Sequence, residues 1–242
     1  MKQIEKIIEN SFVELKSIAC EYGTVERNQN RKQNREAKSK LIFPKKRDNS
    51  TRISEQEMRS SFIRELEALT GEDSYFYSIE SPTKECYKDF SSKEPKIIKD
   101  QSENIEGRSG NIDLTLYNNE LKREHLIEFK FGNKDTCKKD FLKLLCDDKQ
   151  CKTNYYINIL ETFKDGTRKD VEKKYKDVEK KYKDAIKHVL DNYKNEIVSD
   201  LVIVVGVLYS EENESNFFIY KTINKNQIEI EREIEIKIEE KD

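Results

Sequence analysis

The stretch GNIDLTLYNNELKREHLIEFKFG, Gly110 to Gly132, decides how the rest of the chain is read. Ile112, Leu114 and Leu116 alternate with Asp113, Thr115 and Tyr117 in its first half. Ile127, Phe129 and Phe131 alternate with Leu126, Glu128 and Lys130 in its second half. Successive side chains of a strand point to opposite faces, so each half predicts a strand with an apolar row in a core and ionisable groups opposite. The polar NNELKRE between them predicts a turn, and antiparallel pairing across it brings Asp113 beside Glu128 and Lys130. Two carboxylates a few ångströms apart repel, and a divalent cation relieves that repulsion in a partly buried cleft. A lysine two residues on can orient a water or a phosphate beside such a cation. The triplet Glu-x-Lys says little by itself, since nine of them occur, starting at Glu14, Glu36, Glu94, Glu120, Glu128, Glu172, Glu179, Glu235 and Glu239. Only Glu128 combines apolar flanks, a following Gly and an Asp in the preceding apolar strand.

Composition narrows the chemistry further. A chain of 242 residues can bury a real core, as one large domain or as one domain with appendages, and the latter is favoured. With 39% charged and 35% hydrophobic residues and no Trp, the chain reads as a highly solvated protein rather than a secreted one. A net charge of −2 does not mark a bulk polyanion binder, so any nucleic-acid surface must be local. The longest apolar run, Leu201 to Tyr209, has nine residues against the roughly 20 that span a bilayer. No signal-peptide core opens the sequence, and a cytoplasmic protein with no membrane contact is expected. Five cysteines without a CxxC pair and only two histidines, His125 and His188, argue against a structural zinc and against Ser/His or Cys/His catalysis. Carboxylates and lysines remain.

Upstream, Ile4, Ile7, Ile8, Phe12, Leu15, Ile18, Ala19 and Tyr22 fall at helical spacing, closed by Gly23. Residues Arg27 to Arg47 then carry nine Lys or Arg against one Glu. Such a run is either a solvated linker or a flexible arm that binds phosphates and releases counterions, in which Arg31, Lys32, Arg35, Lys45, Lys46 and Arg47 are the candidate contacts. ISEQEMRSSFIRELEALTG follows, with Ser54 and Glu57 spaced as a capping box and Gly71 past the end. Met58, Phe62, Ile63, Leu66 and Leu69 form its apolar stripe, and Glu55 and Arg59 fall inside that stripe. Glu55 either serves the helix dipole in a first turn open to solvent or looks into the site. SYFYSIE, Ser74 to Glu80, predicts a strand ended by Pro82, and residues 81–109 predict a long polar excursion.

Downstream, Phe141, Leu144, Leu145 and Cys137 predict a helix on which Lys138, Lys139 and Lys143 either steer phosphates or form a solvated face. TNYYINIL, Thr153 to Leu160, predicts a strand. The repeat DVEKKYK, at 170–176 and 177–183, keeps Val171, Tyr175, Val178, Tyr182, Ala185 and Val189 on one heptad face. Two Tyr and an Ala make a poor coiled-coil seam, so packing on the domain is favoured over a homodimer. Strands are expected at Leu201 to Tyr209, Phe217 to Ile223 and, after the turn NKNQ, Ile228 to Ile238, the last with an acidic face suited to a sheet edge.

A helix bearing a Glu, then NIDL, then IEFK resembles the PD-(D/E)XK nuclease superfamily over roughly residues 53 to 160, about 45% of the chain. Ile112 stands where the named motif has Pro. The resemblance implies an α/β fold with a restriction-endonuclease-like αβββαβ core around a mixed sheet. It implies that Asp113, Glu128 and the Phe129 carbonyl bind Mg²⁺, with Mn²⁺ as a substitute, that Lys130 positions or activates the water, and that Glu55 supports the metal site. The chain then divides into an N-terminal helix and basic arm (1–52), a nuclease-like core (53–160) and a long helix with C-terminal strands packed on the core (161–242). The expected activity is hydrolysis of nucleic-acid phosphodiesters, DNA rather than RNA, in restriction or anti-phage defence. The competing expectation is a catalytically inactive module of the same fold that binds nucleic acid or protein.

Overall fold

The alternating rows of the central hairpin become neighbouring strands of one sheet. The structure, a computed structural model, describes residues 2–22, 41, 43, 47, 52–71, 74–88, 95–98, 107–132, 137–161, 168–208, 216–223 and 230–238. Helices α1 (Lys2–Tyr22) and α2 (Glu55–Glu67) precede strands β1 (Phe76–Lys88), β2 (Lys96–Ile98), β3 (Arg108–Tyr117) and β4 (Arg123–Phe131). Helix α3 (Cys137–Cys146), β5 (Thr153–Glu161), helix α4 (Arg168–Tyr193), β6 (Asp200–Leu208), β7 (Asn216–Ile223) and β8 (Ile230–Ile238) complete the chain. The strands form one mixed sheet in the order β2-β1-β3-β4-β5-β6-β7-β8. The pairs β4/β5 and β5/β6 are parallel and all others antiparallel.

Two helical layers sandwich this α/β sheet. On one face Ile4, Ile8, Phe12, Met58 and Phe62 of α1 and α2 pack against Leu114, Leu116, Ile127, Phe129, Ile157 and Val204. On the other, Phe141, Leu145, Tyr182 and Val189 of α3 and α4 pack against Leu126, Tyr156, Leu160, Ile203 and Val205. The apolar run of β6 is thus shared between both layers, as suits a strand in the parallel part of a sheet. Gly206 on that strand lets α1 approach closely, because a Cβ there would lie 2.1 Å from the Phe12 ring. The expected α1 stripe is buried from Ile4 to Ile18. Helix α2 carries the expected capping box, with the Ser54 amide donating to Glu57 Oε2 at 2.8 Å.

Several expectations are corrected. Pro82 does not end the strand: β1 runs through it, pairs Pro82 with Asn111, and only then shifts register before Cys86. A proline fits there because the strand bulges, and the freed amides of Lys84 and Glu85 donate to Asp147 at 3.1 and 2.9 Å. The supposed excursion therefore contains the rest of β1 and the short β2. In β3, Leu114 and Leu116 share a layer but Ile112 belongs to the opposite cluster, where β3 parts from β4. The described part of the heptad face, Val178, Tyr182, Ala185 and Val189, is buried against this same chain. Tyr182 receives a hydrogen bond from Asn158 Nδ2 at 2.7 Å and meets the Tyr156 ring edge-on at 5.5 Å.

Arg31, Lys32, Arg35, Lys45 and Lys46 of the basic arm, and the turn NKNQ, lie outside the described residues; Arg47 is exposed in a turn. Among the described residues no helix is long and apolar enough to cross a membrane.

Candidate functional site

The site forms where two strands stop pairing. The β3/β4 ladder reaches Leu114↔Ile127, its pair farthest from the turn. Beyond it the Phe129 amide donates to Asp113 Oδ2 at 2.8 Å, so a side chain takes a hydrogen bond that a neighbouring backbone would otherwise accept. On the other side of the gap the Asn111 carbonyl accepts from Lys143 Nζ at 2.7 Å. The gap opens into a polar cavity of about 390 Å³. Asp113, Glu128, Lys130, Lys139, Asp140 and Lys143 line it, together with the exposed residues Glu80 and Arg108.

The three residues expected from the hairpin come together. Lys130 Nζ lies 2.9 Å from Glu128 Oε2 and 3.6 Å from Asp113 Oδ2. It also lies 3.6 Å from Asp140 Oδ2, so carboxylates from β3, β4 and α3 converge on one point. Lys143 Nζ is ion-paired with Glu128 Oε1 and stands 3.3 Å from Asp140 Oδ1. Lys143 is not on a solvated face: its side chain is 5% exposed.

Asp140 and the inward role of Lys143 are absent from the sequence reading. One signal was present. Cys137, Asp140, Phe141 and Leu144 stand at i, i+3, i+4 and i+7, so the acid lies on the buried stripe of α3. The helix is held over the cleft from its far end, where Asp147 takes the β1 bulge amides and Asp148 pairs with Lys84 at 2.7 Å.

Glu55 sits half-buried in the first turn of α2 and is not among the described residues lining the cavity. The helix reaches the cavity lining instead through Arg59, whose Nη1 pairs with Glu80 Oε1 at 2.9 Å. Glu80 lies between the Ile79↔Leu114 and Ser81↔Ile112 pairs, across from Asp113, with φ of 53°. That backbone conformation is strained for any residue but Gly. Phe129 brings its backbone to the cleft and its ring to the opposite layer, edge-on to Phe62 at 5.6 Å.

Burial and mutual charge set the protonation of the cluster. Burial, then the Glu128 charge, push the Asp113 carboxyl up to about 7. The same two causes raise Asp140. Burial acts on Glu128 in the same direction, but Lys143 and Lys130 outweigh it and hold that carboxyl below its ordinary value. Burial works against the charge of Lys130 and Lys143, yet the carboxylates around them hold both ammonium groups above the usual lysine range.

Among the described residues no three His, Cys, Asp or Glu side chains form a metal cage in this geometry; the acidic oxygens converge on lysine nitrogens instead. The donor set nonetheless fits a hard cation. All its side-chain donors are carboxylate oxygens, and both oxygens of buried Asp140 accept no hydrogen bond among the described residues. Comparison with known proteins returns no matching family model, no matching curated protein and no matching solved structure.

Proposed function

We propose that this chain is a divalent-cation-dependent nuclease of the PD-(D/E)XK type, hydrolysing phosphodiester bonds of nucleic acid, DNA rather than RNA. The observation that carries the reading is the convergence of Asp113, Glu128 and Lys130 at the point where β3 and β4 part. The order α2, β1, β3, β4, α3, β5, with β2 as a short addition at the edge, supports it as the αβββαβ arrangement of that superfamily. A role in restriction or anti-phage defence rests on the resemblance alone.

Asp113 and Glu128 are the residues that would hold Mg²⁺ or Mn²⁺, with the Phe129 carbonyl as the further ligand that the resemblance implies. Such a cation supplies Lewis-acid stabilisation of the charge that builds on the phosphate. Lys130 stands among three carboxylates, and beside a bound cation its part would be to position or activate the water or to donate hydrogen bonds to the phosphate. Arg108 and Lys139, which also line the cavity, would contact neighbouring phosphates of the bound strand.

One observation favours the non-enzymatic reading. Both oxygens of Glu128 are engaged by lysines, so its charge is balanced by the chain itself. Plasmid and RNA incubated with Mg²⁺, Mn²⁺ or EDTA, beside Asp113→Ala and Lys130→Ala, separate the two. The nuclease reading expects cation-dependent cleavage that falls by at least about a hundredfold in each variant. Cleavage that survives EDTA or both substitutions removes the site, and nucleic-acid binding without cleavage under every condition leaves the binding module.

A further inference from the structure

Glu128 has both carboxylate oxygens occupied, Oε2 by Lys130 at 2.9 Å and Oε1 by Lys143. A divalent cation ligated by Glu128 needs at least one of them. The two lysines differ in what holds them. Lys130 stands among carboxylates alone in its described ion pairs. Lys143 also donates to a neutral acceptor, the Asn111 carbonyl at 2.7 Å, and stands 3.3 Å from Asp140 Oδ1 without hydrogen-bonding it. Asp140 in turn is fully buried, with two oxygens that accept no hydrogen bond among the described residues. A buried acceptor without a donor is costly, and a buried ammonium within reach relieves it at small displacement.

From this geometry we infer that Lys143 is the internal counter-ion of Glu128. It holds Glu128 Oε1 while no cation is bound, and moves onto Asp140, pivoting on the Asn111 carbonyl, when a divalent cation takes that oxygen. Lys143 is thus a positioning residue that sets cation affinity, and Asp140 is the place to which it withdraws. The inference rests on the proposed reading only in taking Asp113 and Glu128 as the cation ligands. Its physical content is a competition: the fold keeps Glu128 neutralised without metal, and cation binding has to displace a buried ion pair.

The test uses the full chain, wild type and Lys143→Met, with Mn²⁺ titrated by calorimetry and thermal unfolding followed in EDTA and in Mg²⁺. Removing the competitor should tighten Mn²⁺ binding tenfold or more. It should also lower the Tm in EDTA, and Mg²⁺ should recover that loss with a larger upward shift than in wild type. Equal or weaker Mn²⁺ binding by Lys143→Met, a lowered Tm that Mg²⁺ leaves unchanged, or no Mn²⁺ binding by either chain overturns the inference. If the variant does not fold, the wild type decides: the ¹⁵N resonance of the Lys143 ammonium should move as Mg²⁺ is added, and an unmoved resonance at saturation overturns it. Cation binding that behaves as expected without any cleavage leaves this inference standing and removes the nuclease reading. Cleavage with unchanged cation affinity in the variant does the reverse.

Discussion

Asp113 is at once a site residue and a piece of the sheet. Its Oδ2 takes the Phe129 amide at 2.8 Å, while burial and the neighbouring Glu128 push its carboxyl up to about 7. A carboxyl raised on folding binds its proton more tightly in the folded chain. Stability therefore falls as pH climbs from about 4, where the unfolded group titrates, to about 7, and the deficit is complete above that. Asp113→Asn keeps an acceptor for the Phe129 amide and removes the buried charge. In EDTA at pH 8 the variant should be more stable than wild type by roughly 2–4 kcal/mol, and the gain should vanish near pH 4. Urea unfolding across that range checks it, and a variant less stable than wild type at pH 8 contradicts it. Asp113, Glu128 and Lys130 were legible in the sequence because strand parity together with antiparallel pairing across the NNELKRE turn brings them to one face. Asp140 was legible only as an acid on the apolar stripe of α3, and Lys143 was not, because a Lys on a helix ordinarily faces water and it is the contacts with Glu128 and the Asn111 carbonyl that turn it inward.

Among the elements, those with strict periodicity read most directly. Helices α1 and α2, the capping box and the strands β3 to β6 follow from apolar spacing. The sequence ends β1 at Pro82 because a proline lacks an amide donor, and no local signal reveals that Asp147, more than sixty positions away in sequence, receives the amides that the bulge releases. The hairpin turn is similar. Leu121 closes it with φ of 57° and an amide donated to the Asn118 carbonyl at 2.9 Å, although its side chain is 66% exposed. A leucine in that conformation costs roughly 1–2 kcal/mol. Leu121→Gly should thus stabilise the chain by about 0.5–1 kcal/mol after the greater freedom of glycine in the unfolded state is deducted. Thermal unfolding reads this directly, and a destabilised variant shows that Leu121 contributes packing the geometry does not reveal.

At the scale of the molecule, the three-layer arrangement gives the cleft one wall from the sheet and one from α3, while the basic arm is attached between α1 and α2. If the arm serves nucleic-acid binding, replacing Arg31, Lys32 and Arg35 by Gln removes three phosphate contacts. The slope of log affinity against log salt should shrink by roughly 2–3, with binding at low salt weakened across all sequences. An unchanged slope makes the arm a linker. The layering was legible only as a class, because whether helices lie on one face or two depends on contacts between distant segments. Phe12 against Gly206 is one such contact. It also fixes an order of events on the ribosome. Helix α1 is made well before β6, so this part of its seat does not exist when the helix emerges. Helix α2 follows early and can pack on α1, but the Phe12 ring has no seat until β6 is made, so the closing of α1 onto that end of the sheet is a late step of folding.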